Sequence, residues 1–155
     1  MDERQIYYMN QALMLARRAQ RRGEVPVGCV IVRKGRIIAR SSNRREAGKN
    51  ALYHAELLAI DKACRRLGGW RLWDCELYVT LEPCAMCAGA IINARIPKVF
   101  FGAGDDRNGA MGSAVEMQKR QNSFLPEVTG GVLGGECAEV LTSFFRNMRK
   151  KHARG

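Results

Sequence analysis

His54-Ala55-Glu56, followed thirty positions after the histidine by Pro83-Cys84-Ala85-Met86-Cys87, constrains this chain more than any other feature. One imidazole and two thiolates make three of the four ligands of a tetrahedral Zn²⁺, which leaves the fourth position for water. Any fold that uses them must bring the two segments together. A carboxylate two residues from the imidazole is placed to handle the protons of that water. The combination describes a hydrolytic metal site rather than a structural one. Zinc held by His54, Cys84 and Cys87, one ion per chain, lowers the pKa of its water toward about 7 and so supplies hydroxide at neutral pH. Glu56 is the candidate proton shuttle and not a ligand, because a bound carboxylate would close the shell.

Other readings of these residues are weaker. A Cys-x-x-Cys pair alone suits a redox dithiol or half of a structural zinc site. Here the upstream His-x-Glu argues against the first, and the lack of a second Cys-x-x-Cys or spare histidine argues against the second. The other histidine, His152, lies in a charged tail. Cys29, Cys64, Cys75 and Cys137 each sit alone in an apolar stretch and read as core thiols, as expected in a reducing compartment. Glu82, beside Pro83, reads as a structural residue that orients the turn.

With 155 residues the chain is expected to form a single domain over 1–155, large enough to bury a core without disulfides. No apolar run reaches membrane-spanning length, and the polar start Met1-Asp2-Glu3 is unlike a secretory signal. A cytoplasmic location without membrane contact is the expectation. Lys plus Arg number 26 against 15 Asp plus Glu, a net charge of +11. The basic residues cluster at Arg17 to Arg22, Arg33 to Lys49 and Arg146 to Arg154, which suits a polyanionic partner such as folded RNA.

The periodicity predicts a helix from Glu3 to Arg22 ended by Gly23, then a hairpin of Val27 to Arg33 and Ile37 to Ala39 about Lys34-Gly35. A loop spans Ser41 to Tyr53. A helix follows from His54 to Leu67, with Leu57, Leu58, Ala63 and Cys64 inward. Glu76 to Leu81 is a strand, and Pro83 begins a helix that runs to Ala94. Lys98 to Gly102 is a strand, Ser113 to Lys119 a short helix, Glu127 to Val132 a fifth strand, and Glu136 to Lys151 a final helix. The alternation indicates an α/β layered domain, antiparallel at its start and parallel in its second half. Both metal motifs fall at helix N-termini, where the backbone favours thiolates.

Thr80-Leu81-Glu82-Pro83-Cys84-Ala85-Met86-Cys87-Ala88-Gly89-Ala90 resembles the second zinc motif of the bacterial tRNA-specific adenosine deaminases. His-x-Glu with Pro-Cys-x-x-Cys is the general signature of zinc nucleobase deaminases. The resemblance spans nearly the whole chain, with matches at Glu24-Val25-Pro26-Val27-Gly28, Asn43, Val99-Phe100-Phe101-Gly102-Ala103, Asp105, Val128-Thr129-Gly130-Gly131-Val132-Leu133 and Phe144-Phe145-Arg146. It implies a three-layer cytidine-deaminase-like fold with a central mixed five-stranded sheet flanked by helices. The implied activity is conversion of adenosine to inosine, by hydrolytic attack at C6, at the wobble position of the anticodon loop of an arginine tRNA. The implied site adds Asn43 on the purine, Val27, Ala55 and Leu81 around it, and Asp105 on the neighbouring nucleotide. Phe144, Phe145, Arg146 and Arg149 would meet the flanking bases and phosphates, in a homodimer.

The chain departs from the family at Gln121-Asn122-Ser123, where an Asn-His pair is usual, and at Asn93-Ala94-Arg95. Tyr53 stands where smaller residues are common, a place from which it would narrow the pocket mouth. A deaminase of a free base or nucleotide fits the zinc motif alone, but neither +11 nor the arginine-bearing last helix. A non-catalytic zinc-dependent RNA-binding protein has no use for Glu56.

Overall fold

The computed structural model describes residues 1–119 and 124–154. Its elements are α1 (Glu3–Arg21), β1 (Gly28–Arg33), β2 (Arg36–Ser42), α2 (Arg45–Gly48), α3 (Ala55–Leu67), β3 (Cys75–Leu81), α4 (Ala85–Asn93), β4 (Lys98–Ala103), β5 (Glu127–Thr129) and α5 (Gly134–Arg154). The five strands form one mixed sheet in the order β2-β1-β3-β4-β5. β1 runs antiparallel to β2 and β3, whereas β3, β4 and β5 are parallel.

Each central strand is a nearly continuous apolar run because it is buried on both faces. Alternate residues separate cleanly. Cys29, Ile31, Leu77, Val79, Val99 and Phe101 pack under α3 and α4. Val30, Val32, Tyr78 and Phe100 pack under α1 and α5. The result is the expected three-layer α/β sandwich, with α3 and α4 side by side on one face. Among the described residues no helix is long and apolar enough to cross a membrane.

Local chemistry explains the junctions. Asp2 caps α1 by accepting from the Gln5 N–H. Lys34 and Gly35 both take positive φ, at 50° and 76°, the twist that a two-residue hairpin requires. Gly28 lets β1 lie directly against α1, where a Cβ would strike the Ala12 carbonyl. Gly28→Ala therefore overpacks the helix–sheet seam, and a loss of about 2 kcal/mol in denaturant unfolding is expected.

Five local expectations are corrected. The segment from Ser41 to Tyr53 is not all loop: Ser41 and Ser42 extend β2, and Arg45–Gly48 form a helical turn. The buried Glu24 carboxylate organises that turn by accepting from the Glu46 and Ala47 N–H groups at 3.0 and 2.8 Å. Pro83 precedes α4 rather than opening it, and Cys84 is the capping residue. Ser113 to Lys119 is a turn with a 3-10 segment at Met117–Lys119, and β5 has three residues. On α3 the inward residues are Ala55, Glu56, Ala59 and Ala63, while Leu57 and Leu58 are half-exposed. Small alanines let α3 approach the sheet, so the larger leucines fall to its flank.

Candidate metal centre and active site

His54 and Cys84 occupy the same local position in two neighbouring helices. Each is the N-cap residue with extended backbone, and neither spends its side chain on capping. Their carbonyls accept the first helical hydrogen bonds, from Leu58 and Ala88, and so leave imidazole and thiol directed into the space between α3 and α4. Cys87 lies one turn into α4, on the face of Cys84. The three donor atoms converge: His54 Nδ1 is 3.7 Å from Cys84 Sγ and 3.6 Å from Cys87 Sγ. Ligands at ordinary Zn–N and Zn–S lengths in a tetrahedron sit about 3.6 Å apart. The donor set fits zinc in spacing and in chemistry, and these three are a potential metal-binding group of the described residues.

Charge is already arranged for a cation. Hydrogen bonds from Cys87 and His54 hold the Cys84 thiol down to about 3. The Cys87 thiol, donating to Cys84 and buried, is pushed far up. Both sulfurs bind zinc as thiolates, so metal uptake releases protons. Contact with Cys84 also raises His54. Glu56 follows in the first turn of α3, 4% exposed. Burial lifts its carboxyl to about 7, against the pull of its backbone N–H and of His54. A carboxyl that exchanges protons near neutral pH is the form a shuttle needs.

Above this centre lies a cleft of about 990 Å³ at the C-terminal ends of β3 and β4. Val27, Asn43, Ala55, Leu81, Asp105 and Phe145 line it together with His54, Glu56 and Cys84. Asn43 is buried, with Oδ1 accepting from the Arg45 N–H at 3.2 Å. Asp105 Oδ1 accepts from the Arg107 and Asn108 N–H groups, both at 3.1 Å. α5 divides its residues: Phe145 is 44% exposed toward the cleft, while Phe144 is 7% exposed and turned to the α1 side. Phe144 is therefore a packing residue, and Arg146 and Arg149 are exposed without lining the cleft. Tyr53 does not narrow the mouth; its ring lies against Gly48. Gln121, Asn122 and Ser123 lie outside the described residues.

The sequence reading did not single out Arg45, Met86, Arg107, Asn108 and Val115 as cleft residues. Arg45 sat within a recognised basic cluster, but only the α2 turn aims it at the site. The role of Glu82 is now specific. Its buried carboxylate accepts from the N–H groups of Asp105, Met111 and Ser113 at 3.0 to 3.1 Å, and from the Ser113 hydroxyl. It therefore ties the cleft wall from Gly104 to Val115 to the strand end beside Cys84.

Burial opposes ionisation of Glu82, but these hydrogen bonds outweigh it and hold the carboxyl below its usual 4.5. A depressed folded-state pKa stabilises the fold above the unfolded value and is lost as pH falls through the folded one. Glu82→Gln sets an amide N–H₂ against backbone donors, a cost of about 3 kcal/mol. Thermal unfolding at pH 7 should show that loss, and the gap from the parent should shrink as the pH drops below about 4.

The comparisons agree with this geometry. The cytidine and deoxycytidylate deaminase zinc-binding region matches residues 2–103. A tRNA-specific adenosine deaminase of Bacillus subtilis (strain 168) is 48% identical over 145 residues, covering 93% of this chain and 90% of the relative. A solved structure from work on A-to-I editing by tRNA:A34 deaminases superposes with a TM-score of 0.84 at 45% identity, covering 87% of this chain and 99% of that one. The guanine deaminase of Bacillus subtilis superposes less fully, with a TM-score of 0.62 at 40% identity over 67% of this chain and 66% of that one. Ligand set, sheet order and similarity together place the chain in the family of zinc-binding cytidine and deoxycytidylate deaminases, among relatives that are tRNA-specific adenosine deaminases.

Proposed function

We propose that this chain, as a single domain over residues 1–155, deaminates adenosine to inosine at the wobble position of a tRNA anticodon, that of an arginine tRNA, as a cytoplasmic homodimer. One observation carries the reading. A buried carboxylate and a convergent set of three metal ligands, two of which line the cleft, lie at its floor, in a chain that aligns over 93% of its length with a tRNA-specific deaminase.

His54 Nδ1, Cys84 Sγ and Cys87 Sγ would hold the zinc, which when bound would supply a nucleophilic hydroxide from water at neutral pH. Glu56 would accept one proton of the attacking water on a carboxylate oxygen and pass it to the purine ring nitrogen, then accept the second proton from the hydroxyl now on the ring carbon and deliver it to the amino group, which leaves as ammonia. Val27 and Leu81 cover the faces of the base, Ala55 leaves room at its edge, and Asn43 offers its amide to the ring. Asp105 has one oxygen held by its own turn, so the other is free to meet a ribose hydroxyl. Phe145 gives the next base a stacking surface. An anticodon base is already single-stranded, so drawing it into the cleft costs less than flipping it from a duplex.

Sequencing of purified tRNA after incubation with the protein tests the reading. Guanosine read in place of adenosine at position 34 of an arginine tRNA is the expected outcome. Ammonia released from free guanine or cytidine with tRNA unchanged would replace it with a free-base activity.

A further inference from the structure

Three carboxylates are buried among the described residues: Glu24, Glu56 and Glu82. Glu56 and Glu82 already have tasks, the one beside the metal ligands and the other in the far wall of the cleft. Glu24 is 1% exposed, and both of its oxygens are occupied. Its partners are the Glu46 and Ala47 N–H groups, 22 and 23 residues away in sequence, in the four-residue turn α2. That turn buries none of its own residues, so it adds nothing to the core. Water can satisfy the opening N–H groups of so exposed a turn. Burying a carboxylate is costly unless it is hydrogen-bonded, and this one holds a surface turn in a single shape.

The turn matters because of what it carries. Asn43 precedes it and Arg45 opens it, and both line the cleft. Val25 and Val27, which follow Glu24 in the chain, line the same cleft. The Glu24 side chain therefore bridges the two segments that supply these four residues. A backbone bond lies alongside, from the Asn43 N–H to the Val27 carbonyl at 3.1 Å. Asn43 is buried, with Oδ1 engaged by the Arg45 N–H at 3.2 Å. That bond leaves Nδ2, a donor, as the end offered to a base. An amide released from it can turn over and present an acceptor instead. The Arg45 N–H keeps its place only while the Glu46 and Ala47 N–H groups behind it keep theirs.

We infer that Glu24 is a positioning residue of the active site, one that fixes the α2 turn and thereby which end of the Asn43 amide meets the reacting base. It rests on the deaminase reading above for the identity of that base. Tyr53 secures the turn from its other side: its carbonyl accepts from the Arg44 N–H at 2.9 Å, and a Cβ on Gly48 would strike its ring. The amide is thus set before substrate arrives, so no binding energy goes into ordering it.

The test is a double-mutant cycle of Glu24→Gln with Asn43→Ala, read as kcat/KM for tRNA deamination well below each Tm. Glutamine keeps the volume of Glu24 and one acceptor oxygen, but sets an N–H₂ against the second backbone donor. Alone it should lower kcat/KM roughly thirtyfold with zinc content unchanged. In the Asn43→Ala background, where the positioned group is gone, the same change should lower it by less than about threefold. A residue that only stabilises the fold lowers activity by one factor in both backgrounds, so equal factors would overturn the inference. Hydrogen exchange gives a readout without catalysis. The Glu46 and Ala47 amides should exchange at least about tenfold faster in Glu24→Gln while those of β3 keep the parental rate, and unchanged exchange at the turn would also overturn it. Gly48→Ala enters the same turn without touching the buried carboxylate, and serves if Glu24→Gln does not fold. Its loss should likewise vanish beside Asn43→Ala, and a loss that persists there counts against the inference. A parent that leaves tRNA unchanged but deaminates guanine or cytidine overturns the wobble reading, and the cycle run on that substrate still decides the role of Glu24.

Discussion

Glu56→Ala should retain about one zinc per chain and lose deamination by at least 10³-fold. General acid–base groups contribute about 10² to 10⁴, and here one carboxylate serves both the attack and the departure of the amine. The metal stays because His54, Cys84 and Cys87 converge without help from Glu56. Glu56→Gln separates the chemistry from packing. It preserves the side-chain volume of a residue that is 4% exposed, but it cannot carry a proton. Both variants inactive with zinc unchanged is the expected result. Rescue by glutamine would assign Glu56 to packing, and loss of metal in either variant would make it a ligand.

What the sequence made legible follows from which forces are local. Hydrophobic period and turn residues are local, so the three layers, the hairpin at Lys34-Gly35 and the order of elements were readable. Ligand spacing is also local within each motif, and its meaning was chemical: no arrangement of His54, Cys84 and Cys87 other than convergence makes use of them. Side-chain direction on a helix is decided by what the neighbouring layer leaves room for. Leu57 and Leu58 carried the stronger apolar signal, yet the alanines of α3 face the sheet because close approach needs small residues. Phe144 and Phe145 looked alike in sequence, but the helical rotation of about 100° between neighbours buries one and leaves the other half-exposed at the cleft, with the two rings still edge to face at 5.3 Å. Glu82 was recognisable as structural. Its partners from Asp105 to Ser113 were not, since they are backbone groups of a loop about thirty residues away that no side-chain pattern advertises.

Cys87→Ser should lose zinc and stability together. Cys87 is fully buried at the N-terminal turn of α4, where its sulfur meets both His54 Nδ1 and Cys84. A serine hydroxyl is a poor zinc ligand at neutral pH, and a set of two protein ligands does not retain the ion. A ligand at a thousandfold excess over its Kd stabilises the native state by about 4 kcal/mol, a quantity the variant forgoes. For a chain of this length that corresponds to a fall in Tm of roughly 8 to 16 °C. Chelator added to the parent should lower its Tm by a similar amount, and chelator added to the variant should change nothing. That pairing separates metal from packing. A variant that loses stability yet still responds to chelator would keep zinc through the other residues and exclude Cys87 as a ligand. A variant with parental zinc content and Tm would exclude it more simply.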